Sequence, residues 1–200
     1  MKSQVPYYSQ FKDVKNKELM EKSCTLTCLK MGLDYFLNEE TPSIDDLFEE
    51  ASLIAKDMER KGTIGKHSLD HGLTHDIIVL LAHNHYLQAY REEFKSVNVD
   101  LKKRIFTPNK FKDEMLEVGI QKIIASLING HLIIASVLPG LSRGLSFHTI
   151  LIIGFREVNK EPIGFIYHDP DSKDAMRSNQ FIDLDSFKKF WRKQAIFIHS

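Results

Sequence analysis

The stretch "EKSCTLTCLKMGLDYF", residues 21–36, decides how the rest of the chain is read. A polar approach gives way at Ser23 and Cys24 to a segment in which Leu26, Leu29, Leu33 and Phe36 recur at helical spacing, so a core-facing helix begins at the cysteine. A thiol in the first turn of a helix sees the partial positive charge of unpaired backbone N–H groups, which favours thiolate over thiol. Cys28 follows one turn later on the same face, where that field has faded and a buried packing role is expected. A disulfide between residues four apart is geometrically awkward, so both are read as free thiols.

The segments on either side define the architecture. "VPYYSQ" (5–10) is a short extended opening, and "TPSIDDLFEEASLIAKDME" (41–59) reads as a second helix whose start carries Ser43 and Asp46, a variant of the capping box. "RKGTIGKHS" (60–68) is a loop, "THDIIVLLAHNHYL" (74–87) returns to helix and "QAYREEF" (88–94) is a strand. A further helix is predicted from Asn109 to Asn129, with Phe111, Met115, Ile120, Ile123, Ile124 and Leu127 inward and Gly130 as its stop. Then the pattern changes: "HLIIASVL", "FHTILIIGF", "IGFIYHD" and, after a short helix "DSFKKFWRK", "AIFIH" are apolar runs that should pair as an antiparallel sheet. The expected class is α+β with segregated layers, one domain over residues 1–200, its mainly helical lobe at 1–130 and its mainly β lobe at 131–200.

Composition narrows the partners. The 200 residues are 42% hydrophobic and 27% charged, enough for one well-buried core. Lys plus Arg (27) balance Asp plus Glu (27), so no global field gathers nucleic acid or an anionic membrane, and neither is expected as a partner. No apolar signal core opens the sequence and no run of about 18 apolar residues spans a bilayer. A cytoplasmic location is expected, which suits free thiols.

A cysteine nucleophile needs a base for its proton, and the base needs a third group to hold its ring. His148 opens the strand "HTILIIGF" behind the glycine-containing loop "VLPGLSRGLSF" (137–147), which is expected to border a cleft. Asp169 ends the next strand at Pro170, where an antiparallel neighbour brings a carboxylate beside that imidazole. Singly, His148 reads as a satisfied strand-end histidine and Asp169 as a turn former. Together, in the order Cys, His, Asp, they favour a catalytic triad.

At this point "VPYYSQ", "CTLTCLKMGLDYF", "GLTHDIIVLLAHNHYLQAYR", "FHTILIIGF" and "YHDP" resemble the stand-alone bacterial relatives of the bacteriocin leader-processing, double-glycine peptidases, a branch of the papain-like cysteine peptidases. The resemblance covers nearly the whole chain. It implies a papain-like fold, with Cys24 as nucleophile, His148 as general base, Asp169 as orienting acid and Gln10 as the amide that helps hold the oxyanion. The implied reaction is hydrolysis of a peptide or isopeptide bond in a peptide or protein substrate, through a thioester on Cys24 and without metal or organic cofactor. Thr25 and Leu26 depart from the small Gly-Pro type pair that usually follows the nucleophile. That departure keeps open a papain-fold binding module, and the same acyl-thiol chemistry keeps open an acyl or peptidyl transferase that passes the acyl group to an amine or thiol.

The remaining motifs read as structural. His67, His71 and His75 fall at steps of four, with His83 and His85 beyond, but Gly65 and Gly72 interrupt the segment and no zinc pattern accompanies it. His75 or Asp76, in "THD", is placed provisionally at the cleft. Lys188, Lys189, Arg192 and Lys193 form a small solvated basic face, and the recurrent aromatics are read as core.

Overall fold

The computed structural model describes residues 4–37, 39–62, 73–138, 141, 148–173 and 177–200. A short 3-10 turn, Met20–Lys22, leads into α1 (Cys24–Phe36), so the helix begins at the cysteine. Next comes α2 (Ile44–Arg60), whose capping box closes in both directions: the Ser43 hydroxyl accepts from the Asp46 backbone N–H, and the Asp46 carboxylate accepts from that of Ser43. After α3 (His75–Asn84) the chain forms β1 (Gln88–Glu93), a hairpin of β2 (Val97–Asp100) and β3 (Ile105–Pro108), and α4 (Lys112–Ile128). The last third supplies β4 (Leu132–Val137), β5 (His148–Val158), β6 (Glu161–His168), β7 (Gln180–Asp183), α5 (Leu184–Phe190) and β8 (Trp191–His199).

Six strands form one antiparallel sheet in the order β1-β8-β4-β5-β6-β7, and β2-β3 pair apart from it. The central strands read as unbroken apolar runs because both faces of the sheet are covered. Alternate side chains divide between two cores: Ile134, Leu151, Ile196 and Ile198 turn to the side of α1, α2 and α3, while Ile133, Ile150, Ile152 and Phe197 turn to the side of α4 and α5. On the first side Leu26, Leu29, Met31 and Leu33 of α1 are fully buried, at about 1.5–3 kcal/mol each for the larger side chains. On the second, Gly119 lets α4 approach closely, since a Cβ there would lie 2.5 Å from Trp191 Cη2 and 2.7 Å from Phe94 Cγ.

The α+β class with an antiparallel sheet holds, with three differences from the sequence reading. The strand expected at 88–94 forms as β1 and joins the main sheet by pairing with β8 along Gln88–Glu93. The helix expected from Asn109 starts at Lys112: the Asn109 side chain accepts the Phe111 backbone N–H at 3.0 Å, a local turn that competes with helix, and Phe111 stays 46% exposed rather than inward. "DSFKKFWRK" divides at Phe190, because Trp191 is buried as the first residue of β8 and pairs with Val137. The β2–β3 hairpin and β7 carry weak apolar patterns and went unpredicted. The loops expected at 63–68 and around 139–147 lie outside the described residues, apart from Leu141.

Candidate active site

Cys24 is half-buried at the first turn of α1. Ser23 stands before it but does not cap the helix with its side chain; its hydroxyl donates instead to the Met20 carbonyl at 3.0 Å. His148 is the first residue of β5 and Asp169 follows the last residue of β6, and those strands are neighbours, so the two side chains meet at one end of the sheet. The His148 Nε2–H donates to Asp169 Oδ1 at 2.7 Å. The imidazole is also close enough to the Cys24 thiol for each group to shift the ionisation of the other. Imidazole and carboxylate are thus bonded at one end of the sheet, with the Cys24 thiol within their electrostatic reach.

The surroundings set the charges. Withdrawal from water works against ionisation of Cys24, but the hydrogen bond and positive charge of His148, with smaller contributions from Thr149 and Thr25, bring its pKa down to about 7. Burial works against a charged His148, yet its bonds to Asp169 and Cys24 raise it to about 10. Burial likewise opposes a charged Asp169, and the imidazole, the Asp171 backbone N–H and Arg177 hold its carboxyl below the usual carboxylate range. A thiolate beside an imidazolium is the resulting state between about pH 7 and pH 10.

Asp169 has every polar group engaged. Its Oδ1 also accepts the Asp171 N–H at 3.0 Å, and its Oδ2 takes the Arg177 Nη1 at 2.5 Å. Its backbone N–H donates to the Arg177 carbonyl and its carbonyl accepts the Tyr7 hydroxyl, both at 3.0 Å. Arg177 and Tyr7 were absent from the sequence-based candidates. Arg177 stands alone in the polar run "SKDAMRSN" with no pattern to mark it, whereas Tyr7 lay within the quoted "VPYYSQ".

That N-terminal segment is strapped to the Asp169 loop. The His168 Nε2–H donates to the Val5 carbonyl at 3.1 Å, Ser9 Oγ to the Ser172 carbonyl at 2.6 Å and the Gln10 backbone N–H to the Pro170 carbonyl at 3.0 Å. Gln10 is 4% exposed, and its Nε2 donates to the Met20 carbonyl at 3.0 Å, in the turn leading into Cys24. A carbonyl cannot donate, so this bond fixes which end of the amide carries nitrogen and leaves its second N–H unassigned. Its Oε1 is buried without a hydrogen-bond partner among the described residues.

The two residues after Cys24 turn away from a simple blocking role. Leu26 is fully enclosed in the core, and Thr25 accepts the Thr149 hydroxyl at 3.3 Å while its own oxygen lies 3.8 Å from Cys24 Sγ. Cys28 is buried, its sulfur faces the Thr149 carbonyl at 3.9 Å, and burial pushes its pKa well above the ordinary thiol value. Of the histidines considered for metal, His75 meets Ser136 Oγ at 2.9 Å, His83 the Ala89 carbonyl at 2.8 Å and His85 Glu50 Oε2 at 2.9 Å. No three metal-ligating side chains converge among the described residues, outside which His67 and His71 lie.

The profile of the peptidase C39-like family matches residues 2–195. The chain belongs to that family. Among solved structures, this family member is similar to a protein described as a C39-like peptidase from Bacillus anthracis, with 16% identity, 98% of this chain and 94% of that one covered, and a TM-score of 0.58. It is similar also to a double glycine motif protease from an AMS/PCAT transporter, solved in complex with the leader peptide (13% identity, 100% and 94% coverage, TM-score 0.51). A third is the peptidase domain of Streptococcus ComA, a bi-functional ABC transporter (15% identity, 89% and 91% coverage, TM-score 0.52). At these identities the likeness is one of fold. No curated protein matches the chain, and no helix among its described residues is long and apolar enough to cross a membrane.

Proposed function

We propose that this C39-like chain is a cysteine peptidase that hydrolyses a peptide or isopeptide bond through a thioester on Cys24. The observation that carries the reading is His148, hydrogen-bonded to Asp169 at 2.7 Å and coupled to a thiol whose pKa falls as its own rises. The Cys24 thiolate attacks the acyl carbon; the carbonyl oxygen takes the charge, and the Cys24 backbone N–H with the Gln10 side-chain amide stabilise it, at about 3 kcal/mol per donor. His148 then gives its proton to the departing amine, and afterwards takes one from the water that cleaves the thioester. Asp169 keeps the ring oriented and its charge balanced throughout.

A peptide as substrate is supported by the family and by the leader peptide bound to the similar double glycine motif protease. The test is twofold. An electrophilic probe such as iodoacetamide, followed by mass spectrometry, should modify Cys24 far ahead of Cys28, and digestion of a defined peptide library should stop in Cys24→Ala. Equal labelling of the two thiols, or a Cys24→Ala variant that still cleaves, overturns the assignment.

A further inference from the structure

The β2–β3 hairpin carries an amphipathic pattern turned the wrong way for a core. Residues directly opposite one another in an antiparallel pair share a face. The register Val97↔Pro108 and Val99↔Phe106 therefore puts four apolar side chains on one face, while Asn98↔Thr107 and Asp100↔Ile105 occupy the other. That apolar face looks to solvent: Val97 is 39% exposed, Val99 50% and Phe106 69%, and Leu101, at the tip, is 83% exposed. Large side chains so exposed and so grouped mark an interaction surface rather than ordinary scatter.

Charge collects at the same place. Although the whole chain is formally neutral, Lys95 to Lys112 contains six cations, Lys95, Lys102, Lys103, Arg104, Lys110 and Lys112, against one anion, Asp100. Asp100 is itself committed to shaping the tip, accepting the Lys102 and Lys103 backbone N–H groups at 3.0 and 3.1 Å. Its other oxygen lies 3.9 Å from Lys103 Nζ, and Lys95 faces Glu93 at 3.8 Å. Arg104 sits in the left-handed region (φ 52°) to complete the turn, so the tip is a shaped structure with Leu101, Lys102, Lys103 and Arg104 all exposed.

We propose that this hairpin docks on an anionic lipid bilayer, with Leu101 and Phe106 entering the headgroup region and the surrounding Lys and Arg side chains meeting lipid phosphates. Two features select this occupant. A second copy would bring like charge against like charge across a two-fold contact. And an apolar tip, Leu101 at 83% exposure followed by Lys102, Lys103 and Arg104, suits a bilayer, where lysine and arginine reach from apolar surroundings to charged headgroups. The even charge of the whole chain hid this local excess from the composition.

The probe is co-sedimentation of the full chain with vesicles of phosphatidylcholine and phosphatidylglycerol in equal parts, against vesicles of phosphatidylcholine alone. Binding is expected to the anionic vesicles, to weaken steeply with added salt, and to be slight on the neutral ones. A Lys102→Glu/Lys103→Glu variant and a Leu101→Ser/Phe106→Ser variant should each lose binding by about tenfold or more. Both should keep the wild-type rate of Cys24 alkylation and the wild-type circular dichroism, since the hairpin stands outside the two cores. The proposal fails if the wild-type chain ignores both vesicles, if either variant binds as the wild type does, or if sedimentation shows a dimer that the serine variant abolishes.

Discussion

The first and second turns of α1 each hold a cysteine, and the two thiols are driven in opposite directions. Cys24 lies where the helix opens against His148, and the imidazole's hydrogen bond and charge outweigh burial to bring the pKa down to about 7. Cys28, four residues on, is burdened by the same withdrawal from water and has only a weak contact with Thr149 to relieve it, so its pKa rises well above 9.0. Helix position alone does not separate them. What separates them is that β5, distant in sequence, brings His148 to the first turn and only Thr149 to the second.

The sharpest way to break this contrast is to exchange the losses. Cys24→Ala, the proposed nucleophile, should lower turnover by about 10⁴-fold or more, measured on a cleaved peptide, while Cys28→Ala leaves it at the wild-type level and costs about 1 kcal/mol of stability in a urea melt. Next in size, Gln10→Ala should reduce kcat by about 10²–10³ with little change in KM, as expected for a donor used only when the oxyanion forms. A KM effect instead would mean that Gln10 only ties the N-terminal strap.

Alkylation rate against pH sharpens the comparison further. Thiolate accumulates as pH rises, so labelling of Cys24 should climb through about pH 7 and level off, and at pH 8 it should exceed that of Cys28 by at least about tenfold. Turnover should follow the same rise and fall again near pH 10 as His148 loses its proton. Of similar size, Arg177→Ala removes a charge-assisted bond to Asp169 worth about 1.5 kcal/mol or more, so kcat should drop by about tenfold. Arg177→Lys should restore part of it; a change in melting temperature without a change in kcat would make Arg177 a purely structural clamp. Smallest of all, Thr149→Val removes a hydroxyl that helps stabilise the Cys24 thiolate, and should move the Cys24 alkylation midpoint upward.

Much of this was legible in the residues, and the exceptions have physical causes. Helical spacing and the change of period after Gly130 announced α1 and four of the five late strands, because burial on one or both faces writes a repeating pattern into sequence. The start of α4 was misplaced because a single Asn109 side chain captured the backbone, a choice periodicity does not encode. Cys24 was read from its helix start and His148 and Asp169 from their strand ends, and the last two are hydrogen-bonded at 2.7 Å. Arg177 was not read, since a lone arginine in a polar loop looks the same whether it faces water or a carboxylate. The β2–β3 hairpin was missed for a related reason: its alternation points outward, so it has no core to declare.

The strap between the N-terminal segment and the loop at 168–172 has a consequence for biosynthesis. During translation Cys24 leaves the ribosome on the order of ten seconds before residue 177 is added, at the usual rates of elongation. Through that interval its sulfur has no imidazole beside it and stays mostly protonated at neutral pH. Val5, Tyr7, Ser9 and Gln10 gain their partners only when His168, Asp169, Pro170 and Ser172 have emerged. The reactive thiol is therefore a property of the finished polypeptide, and nascent chains crowded on one messenger carry it in a dormant form.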